Sequence, residues 1–360
     1  MNAFHAALVF ATLSVTLQIV RGDASELAKN VSQPIERQGM PHRVHVFEDF
    51  ETKIERRWWL VGEATSEQVP KSSSASVGND HCCRATATKN FDRQMEDQGK
   101  PWKAVIFNPV PGPPMGSRTR LGFRYRLSGT DALRVQIYSL SKNYHRFLML
   151  TGLPRNEWQT ATVDMTAARR PDGGGGPLSE DERIDDIQFY VPHDAELWID
   201  DIVLYEAAQA GETRPFPNRF LFSGWFDTGT QGKEWPGDFE IVLHEKPRTW
   251  DAARSVVDPK TGRPWIRLDL RGPRPLSRRT EVRFRYQLSG GESLALVLAN
   301  RETGKRYEAQ VAGLQSGRWA EATVSFEIGE LPATADELRF LLIPGSTLLI
   351  DDVLLFEPGT

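Results

Sequence analysis

The strongest constraint on this chain is that it repeats itself. "LGFRYRLSG" at 121–129 returns as "VRFRYQLSG" at 282–290, an offset of 161 that holds through "GLPRNEWQTATV" (152–163) and "GLQSGRWAEATV" (313–324). Upstream, "GKPW" (99–102) matches "GRPW" (262–265) at an offset of 163, and the closing runs "LWIDDIVLYE" (197–206) and "LLIDDVLLFE" (348–357) match at 151. The offset falls because the first copy carries extra residues around "RRPDGGGGPL" (169–178), and only a surface loop absorbs such an insertion cheaply. Two copies of one fold follow, a first domain over 44–208 and a second over 218–358, with a short Gly- and Pro-containing linker at 209–217.

Inside each copy the apolar residues alternate. Phe123, Tyr125 and Leu127 point one way and Arg124 and Arg126 the other; Leu133, Val135 and Ile137 then alternate with Arg134, Gln136 and Tyr138. "SGTD" and "SGGES" between such runs read as hairpin turns, and no amphipathic helix of useful length interrupts them. About eight strands per copy, punctuated by turns, predict an all-β chain of two tandem β-sandwich (jelly-roll) domains.

The first 22 residues read as a signal peptide. The apolar run Ala6 to Val20 has the length of a secretory h-region, and Val20 and Gly22 permit cleavage before Asp23, although the n-region lacks Lys and Arg. Residues 23–43 are polar and patternless and read as a disordered lead-in. The expectation is a secreted or extracytoplasmic protein with no transmembrane segment after cleavage. Adjacent Cys82 and Cys83 are expected as reduced thiols on a strand, one facing in and one out, with a vicinal disulfide as the alternative. Charge excludes a nucleic-acid partner: residues 44–206 hold 20 Lys and Arg against 24 Asp and Glu, and residues 215–360 hold 19 against 20.

Three recurring elements point to a family. An opening "FEDFE" (47–51), a Trp-x-x-x-x-Val motif (Trp158 to Val163, Trp319 to Val324) and the terminal "IDD" strand together resemble jelly-roll carbohydrate-binding modules of the family 4, 11 and 22 type, within the galactose-binding-like sandwiches. The resemblance covers both copies. It implies that the first and last strands lie side by side and that a structural calcium is held between them, by Glu51 with Asp200 or Asp201, and by Asp227 with Asp351 or Asp352. A buried carboxylate does need a partner or a metal. Strand phase favours Asp200 and Asp351, which share a face with Ile202 and Leu204, and with Val353 and Leu355. The alternative is that these aspartates accept loop hydrogen bonds and close the sandwich without metal.

The resemblance also implies a glycan site of aromatic rings and hydrogen-bonding side chains. On the first copy Arg124, Arg126, Arg134, Gln136 and Tyr138 are candidates for one polar face, with Tyr144 and His145 near its rim; the corresponding second-copy positions, Arg285, Gln287, Ala295, Val297 and Ala299, make a blander face, so a ligand is expected on the first copy. The recurring Trp102, Trp265, Trp158 and Trp319 read as framework, which leaves Trp58, Trp59, Trp235 and Trp250 as stacking platforms. No nucleophile elbow, zinc-protease helix, phosphate loop or dinucleotide fingerprint is present, so the chain is expected not to be an enzyme. The leading expectation is a secreted binding protein for polysaccharide or another extracellular polymer. Its competitor is a structural or protein-interaction module whose partner is another envelope or matrix protein.

Overall fold

The structure is a computed structural model that describes residues 30–51, 66–71, 80–87, 96–97, 100–107, 112–180, 182–244 and 250–359. The leader at 1–22 and the platform candidates Trp58 and Trp59 lie outside the described residues.

The protein is all-β, as two tandem sandwiches with separate apolar cores, one built from residues between Val46 and Leu204, the other between Leu221 and Leu355. One sheet of each holds the chain's closing strand. In the first copy, Glu196–Glu206 pairs antiparallel with the opening strand Arg43–Glu48 and with Thr119–Ser128, which pairs in turn with Gln159–Asp164. In the second, Thr347–Glu357 lies between Arg219–Gly224 and Arg279–Ser289, followed by Trp319–Glu327. First and last strands therefore lie side by side in both copies. The facing sheet of the first copy runs Val31–Ser32, Tyr144–Leu150, Leu133–Ser139, Glu182–Val191, Lys103–Phe107. That of the second runs Gly237–Asp238, Pro264–Leu276, Ala333–Leu342, Ser293–Ala299, Arg306–Ala312. In the first copy His81–Ala87 pairs with both sheets and joins them along one edge.

Equivalent side chains fill the two cores. Phe123 meets Phe189 edge-on with centroids 5.0 Å apart, and Phe284 meets Phe340 in the same way at 5.0 Å. Such a pair adds about 0.5–1.5 kcal/mol beyond its burial. The arginine-free face of each alternating strand looks inward, as the pattern requires.

Three expectations change. The "SGTD" and "SGGES" segments are not hairpins: Thr119–Ser128 and Leu133–Ser139 belong to opposite sheets, and the turn carries the chain across the sandwich. Residues 30–43 are not a disordered lead-in; Val31–Ser32 pairs in parallel with Met149 and Leu150, Ile35 N donates to Thr162 O, and Met40 is buried. The strand phase around "IDD" also differs. Leu197 and Ile199 face the core, and so do Ile202 and Leu204, because a bulge inserts one residue between them at Asp201, whose φ is 46°. Asp352 repeats this with φ 49° between core residues Ile350 and Val353. Phe50 and Phe226, ending the opening strands, also have positive φ, 55° and 49°. Each such residue costs about 1–3 kcal/mol, so the same backbone tension is built twice into the same corner.

Candidate functional site

The bulge turns both aspartates of each "IDD" away from the core and toward basic side chains. In the second copy Asp227, Asp351 and Asp352 converge on Arg43, which comes from the first copy's opening strand. Arg43 NH1 donates to Asp227 Oδ2 at 2.7 Å, NH2 lies 3.7 Å from Asp351 Oδ2, and Nε is paired with Asp352 Oδ1. Arg285 adds a contact of 3.2 Å to Asp352 Oδ2. Burial pushes Asp351 well above the ordinary carboxylate range and Asp227 to about 6; it opposes ionisation of Asp352 too, but Arg43 and Arg285 outweigh it and hold that group low.

The first copy has a related arrangement. Lys71 Nζ is paired with buried Asp200, and Arg124 lies 3.4 Å from Asp201 Oδ2. Glu51 accepts from His81 N at 2.9 Å. The acid sets proposed for calcium thus have an ammonium or a guanidinium among their oxygens. As placed they fit a basic side chain, whereas calcium needs a shell of about six to eight oxygens. Among the described residues no group of three or more His, Cys, Asp or Glu side chains is arranged to hold a metal ion.

Arg43 is one of several links between the sandwiches. Val44, Val203 and Tyr205 pack with Phe220, Leu354 and Phe356 in one apolar cluster, Trp225 Nε1 donates to His45 O at 2.7 Å, and Arg283 NH2 to His42 O at 2.8 Å. The closing sheets therefore meet, and their outer surfaces are partly consumed by that contact. The two facing sheets keep their outer surfaces for other uses.

The five residues expected on one polar face, Arg124, Arg126, Arg134, Gln136 and Tyr138, are divided between the two sheets. Arg124 and Arg126 lie on the first copy's closing sheet, where their guanidiniums sit 5.7 Å from the Trp158 ring and 5.5 Å from the Trp198 ring. Arg134, Gln136 and Tyr138 lie on the facing sheet. There Arg134 donates to Gln136 Oε1, and Gln136 to Gln188 Oε1 at 2.8 Å, which also accepts from Tyr190. Gln136, Gln188 and Tyr190 are buried, so this network is largely closed on itself. Tyr144 points the other way; its hydroxyl accepts from Arg146 and donates to Gly175 O, anchoring the inserted glycine loop.

The tryptophans also sort differently. Recurring Trp158 and Trp319 are half-buried on the outer faces of the closing sheets, each beneath an arginine, while Trp102 and Trp265 are half-buried on the facing sheets. Trp235 is 1% exposed and packs against Trp225 and Phe226 inside the second core, so it is no platform. The Trp250 side chain lies outside the described residues. Both cysteines are free, as expected, and both are buried: Cys83 packs in the core, and burial pushes the Cys82 thiol on the other face up to about 12, which leaves it inert.

The second copy's facing sheet is not bland. On Pro264–Leu276 the side chains of Trp265, Arg267 and Asp269 alternate with core Ile266, Leu268 and Leu270; on Ala333–Leu342, Glu337, Arg339 and Leu341 alternate with Leu338, Phe340 and Leu342. These two strands are neighbours, and with the 258–264 loop they line a groove of about 610 Å³. The Arg339 guanidinium lies 5.9 Å from the Trp265 ring centroid. Arg267 is bidentate to Asp238, at 2.7 and 3.0 Å, and reaches Glu337 at 3.1 Å. Ala295, Val297 and Ala299 do face outward here, but the polar residues come from strands farther along the sheet. The alternation in "PWIRLDL" and "DELRFLL" was the available signal.

No family model matches the chain, and no curated protein matches it. Among solved structures, the chain is similar to the tandem pair of family 22 carbohydrate-binding modules of a Paenibacillus barcinonensis protein, at 12% identity over 90% of this chain and 99% of that one, with a TM-score of 0.30. It is also similar to a family 11 carbohydrate-binding module from Clostridium thermocellum in complex with a β-1,3-1,4-mixed-linked tetrasaccharide, at 18% identity over 48% of this chain and 99% of that one, with a TM-score of 0.32. A family 29 module follows at 12% identity over 38% and 89%, with a TM-score of 0.28. Values this low carry no functional argument, which rests on the chain's own residues.

Proposed function

We propose that this is a secreted, non-catalytic protein that binds carbohydrate through the outer face of its second sandwich. The observation that carries the reading is the groove over Trp265. It joins an indole face to fixed hydrogen-bonding groups, the guanidiniums of Arg267 and Arg339 and the carboxylates of Asp238 and Glu337, on a rigid sheet. A pyranose presents an apolar ring face and a rim of hydroxyls, so it uses both kinds of surface at once. The apolar stretch from Ala6 to Val20 supports export. The first copy meets the second through the closing sheets, away from the facing sheet that carries the groove.

The test is affinity electrophoresis and pulldown against a panel of soluble and insoluble polysaccharides. Retardation by at least one glycan, lost about 10-fold or more in Trp265→Ala at unchanged melting temperature, is the expected result, since truncating a central aromatic anchor of a binding surface costs about 2 kcal/mol. Retention of full binding in Trp265→Ala would remove the groove from the reading, and absence of binding to every polymer would sink it.

A further inference from the structure

The groove of the second sandwich carries the opposite charge balance to the chain around it. Its lining includes Lys260, Arg263, Arg267, Arg301, Arg306 and Arg339, against Asp238, Asp258 and Glu337. Residues 215–360 as a whole hold 19 basic and 20 acidic side chains, so a local ratio of six to three is a concentration of positive charge on a near-neutral domain.

The acids present do not cancel it. Glu337, 3% exposed, is shared by three guanidiniums: Arg267 at 3.1 Å, Arg301 at 3.6 Å and Arg339. Asp238 adds a second partner for Arg267, and Asp269 and Asp336 hold Arg301 at 3.0 Å each. Asp258 is spent on its own turn, accepting from Lys260 N at 3.0 Å and Thr261 Oγ1 at 2.7 Å. At the rim, Lys260, Arg263 and Arg306 are exposed and form no salt bridge among the described residues, although the Lys260 charge acts on Asp258 of its own turn. Counting Asp269 and Asp336 with the lining still leaves six basic groups against five acidic ones. The buried acids fix the inner arginines in place, and the three rim cations are left to face a ligand.

Resting on the carbohydrate reading above, we infer that the ligand is an anionic glycan, one whose pyranose rings bear carboxylates or sulfate esters. The exposed planar guanidiniums of Arg263 and Arg306 suit bidentate binding of such groups, and a rim of exposed cations raises the local concentration of a polyanion. The Trp265 ring supplies what simple charge attraction lacks, a flat apolar surface for the sugar itself.

The experiment is isothermal titration of the full chain with four probes: polygalacturonate, chondroitin sulfate, mixed-linkage β-glucan and oligothymidylate, at low and high salt. Binding of an acidic glycan and not of the neutral glucan is expected, with affinity falling about 10-fold or more between 50 and 500 mM salt as the screening length shortens. Binding of polygalacturonate alone assigns the carboxylate; binding of chondroitin sulfate alone assigns the sulfate ester. The combined variant Lys260→Gln, Arg263→Gln, Arg306→Gln is expected to lose about 10-fold or more in affinity at an unchanged melting temperature, because these side chains hold no structural ion pair. Salt-independent binding of the neutral glucan would overturn the anionic assignment while sparing the carbohydrate reading. Tighter binding of oligothymidylate would overturn it in favour of a nucleic acid, and silence with all four probes would overturn the anionic assignment while the polysaccharide panel decides the carbohydrate reading.

Discussion

Arg43 ties the two sandwiches together at their junction by reaching from the first copy into a group of acids on the second. Three carboxylates of the other copy surround it, and Asp351 and Asp352 are almost fully buried. Breaking a buried ion pair from one side costs about 3–5 kcal/mol, so Arg43→Met is expected to lose that much stability in urea denaturation. Arg43→Lys recovers only part of it, since an ammonium does not span three carboxylates. With guanidinium and ammonium groups holding the acids, EDTA is expected to leave the melting temperature of the wild type unchanged. A fall of several degrees on chelation would restore calcium to the site. Nearby, burial lowers the His45 pKa from 6.5 to about 3, reinforced by the Arg43 charge. The unfolded histidine binds its proton near 6.5 and the folded one only near 3, so the unfolded state holds more protons in between. Stability is therefore full above pH 6.5 and falls as pH drops toward 3, at up to about 1.4 kcal/mol per pH unit from this residue. His45→Asn should flatten that slope, measured by denaturation at successive pH values; an unaltered slope would assign the acid sensitivity elsewhere.

At the scale of elements, the "LSG" that ends Thr119–Ser128 and Arg279–Ser289 recurs because the chain crosses between sheets there. Gly290 has φ 79°, and a Cβ on it would lie 2.6 Å from Gly345 O. Gly304 has a similar φ of 70° but nothing within 4 Å. Gly290→Ala is therefore expected to cost clearly more than Gly304→Ala, which should lose about 1 kcal/mol from backbone conformation alone. Thermal melts of the two variants decide it, and equal losses would mean that the crossing turn has room to move. The inserted loop of the first copy depends on one buried residue in the same way. Arg146 is bidentate to Glu182 at 2.7 and 3.0 Å and also donates to the carbonyls of Ala168, Gly175 and Gly176. A ten-residue insertion reads as a free surface loop in sequence, yet it is tied down from inside the sandwich.

For the whole molecule, the closing sheets meet through Val44, Val203, Tyr205, Phe220, Leu354 and Phe356, so the sandwiches are expected to unfold together. Calorimetry should show one transition for the wild type and two for Phe220→Ser with Phe356→Ser, and two transitions in the wild type would show the contact to be weak. Much of this was legible beforehand. The repeat announced two copies, the alternation announced sandwiches, and the resemblance carried by "FEDFE" and "IDD" implied adjacent first and last strands. The site was harder, since Arg124 and Arg134 alternate in the same way on strands ten residues apart and yet lie on opposite sheets. Periodicity reports which side of a strand faces the core, and nothing in it reports which sheet the strand joins. Likewise the bulge at Asp201 and Asp352 reverses the strand phase, and no local signal separates it from regular alternation. The sequence by itself determined the duplication, the all-β class and the two cores, because these follow from local pattern and burial. Only the tertiary structure decided that Arg43 answers the second copy's aspartates and that Trp265, Arg267 and Arg339 form one groove. Such groupings depend on which distant strands become neighbours, and that is settled by long-range pairing.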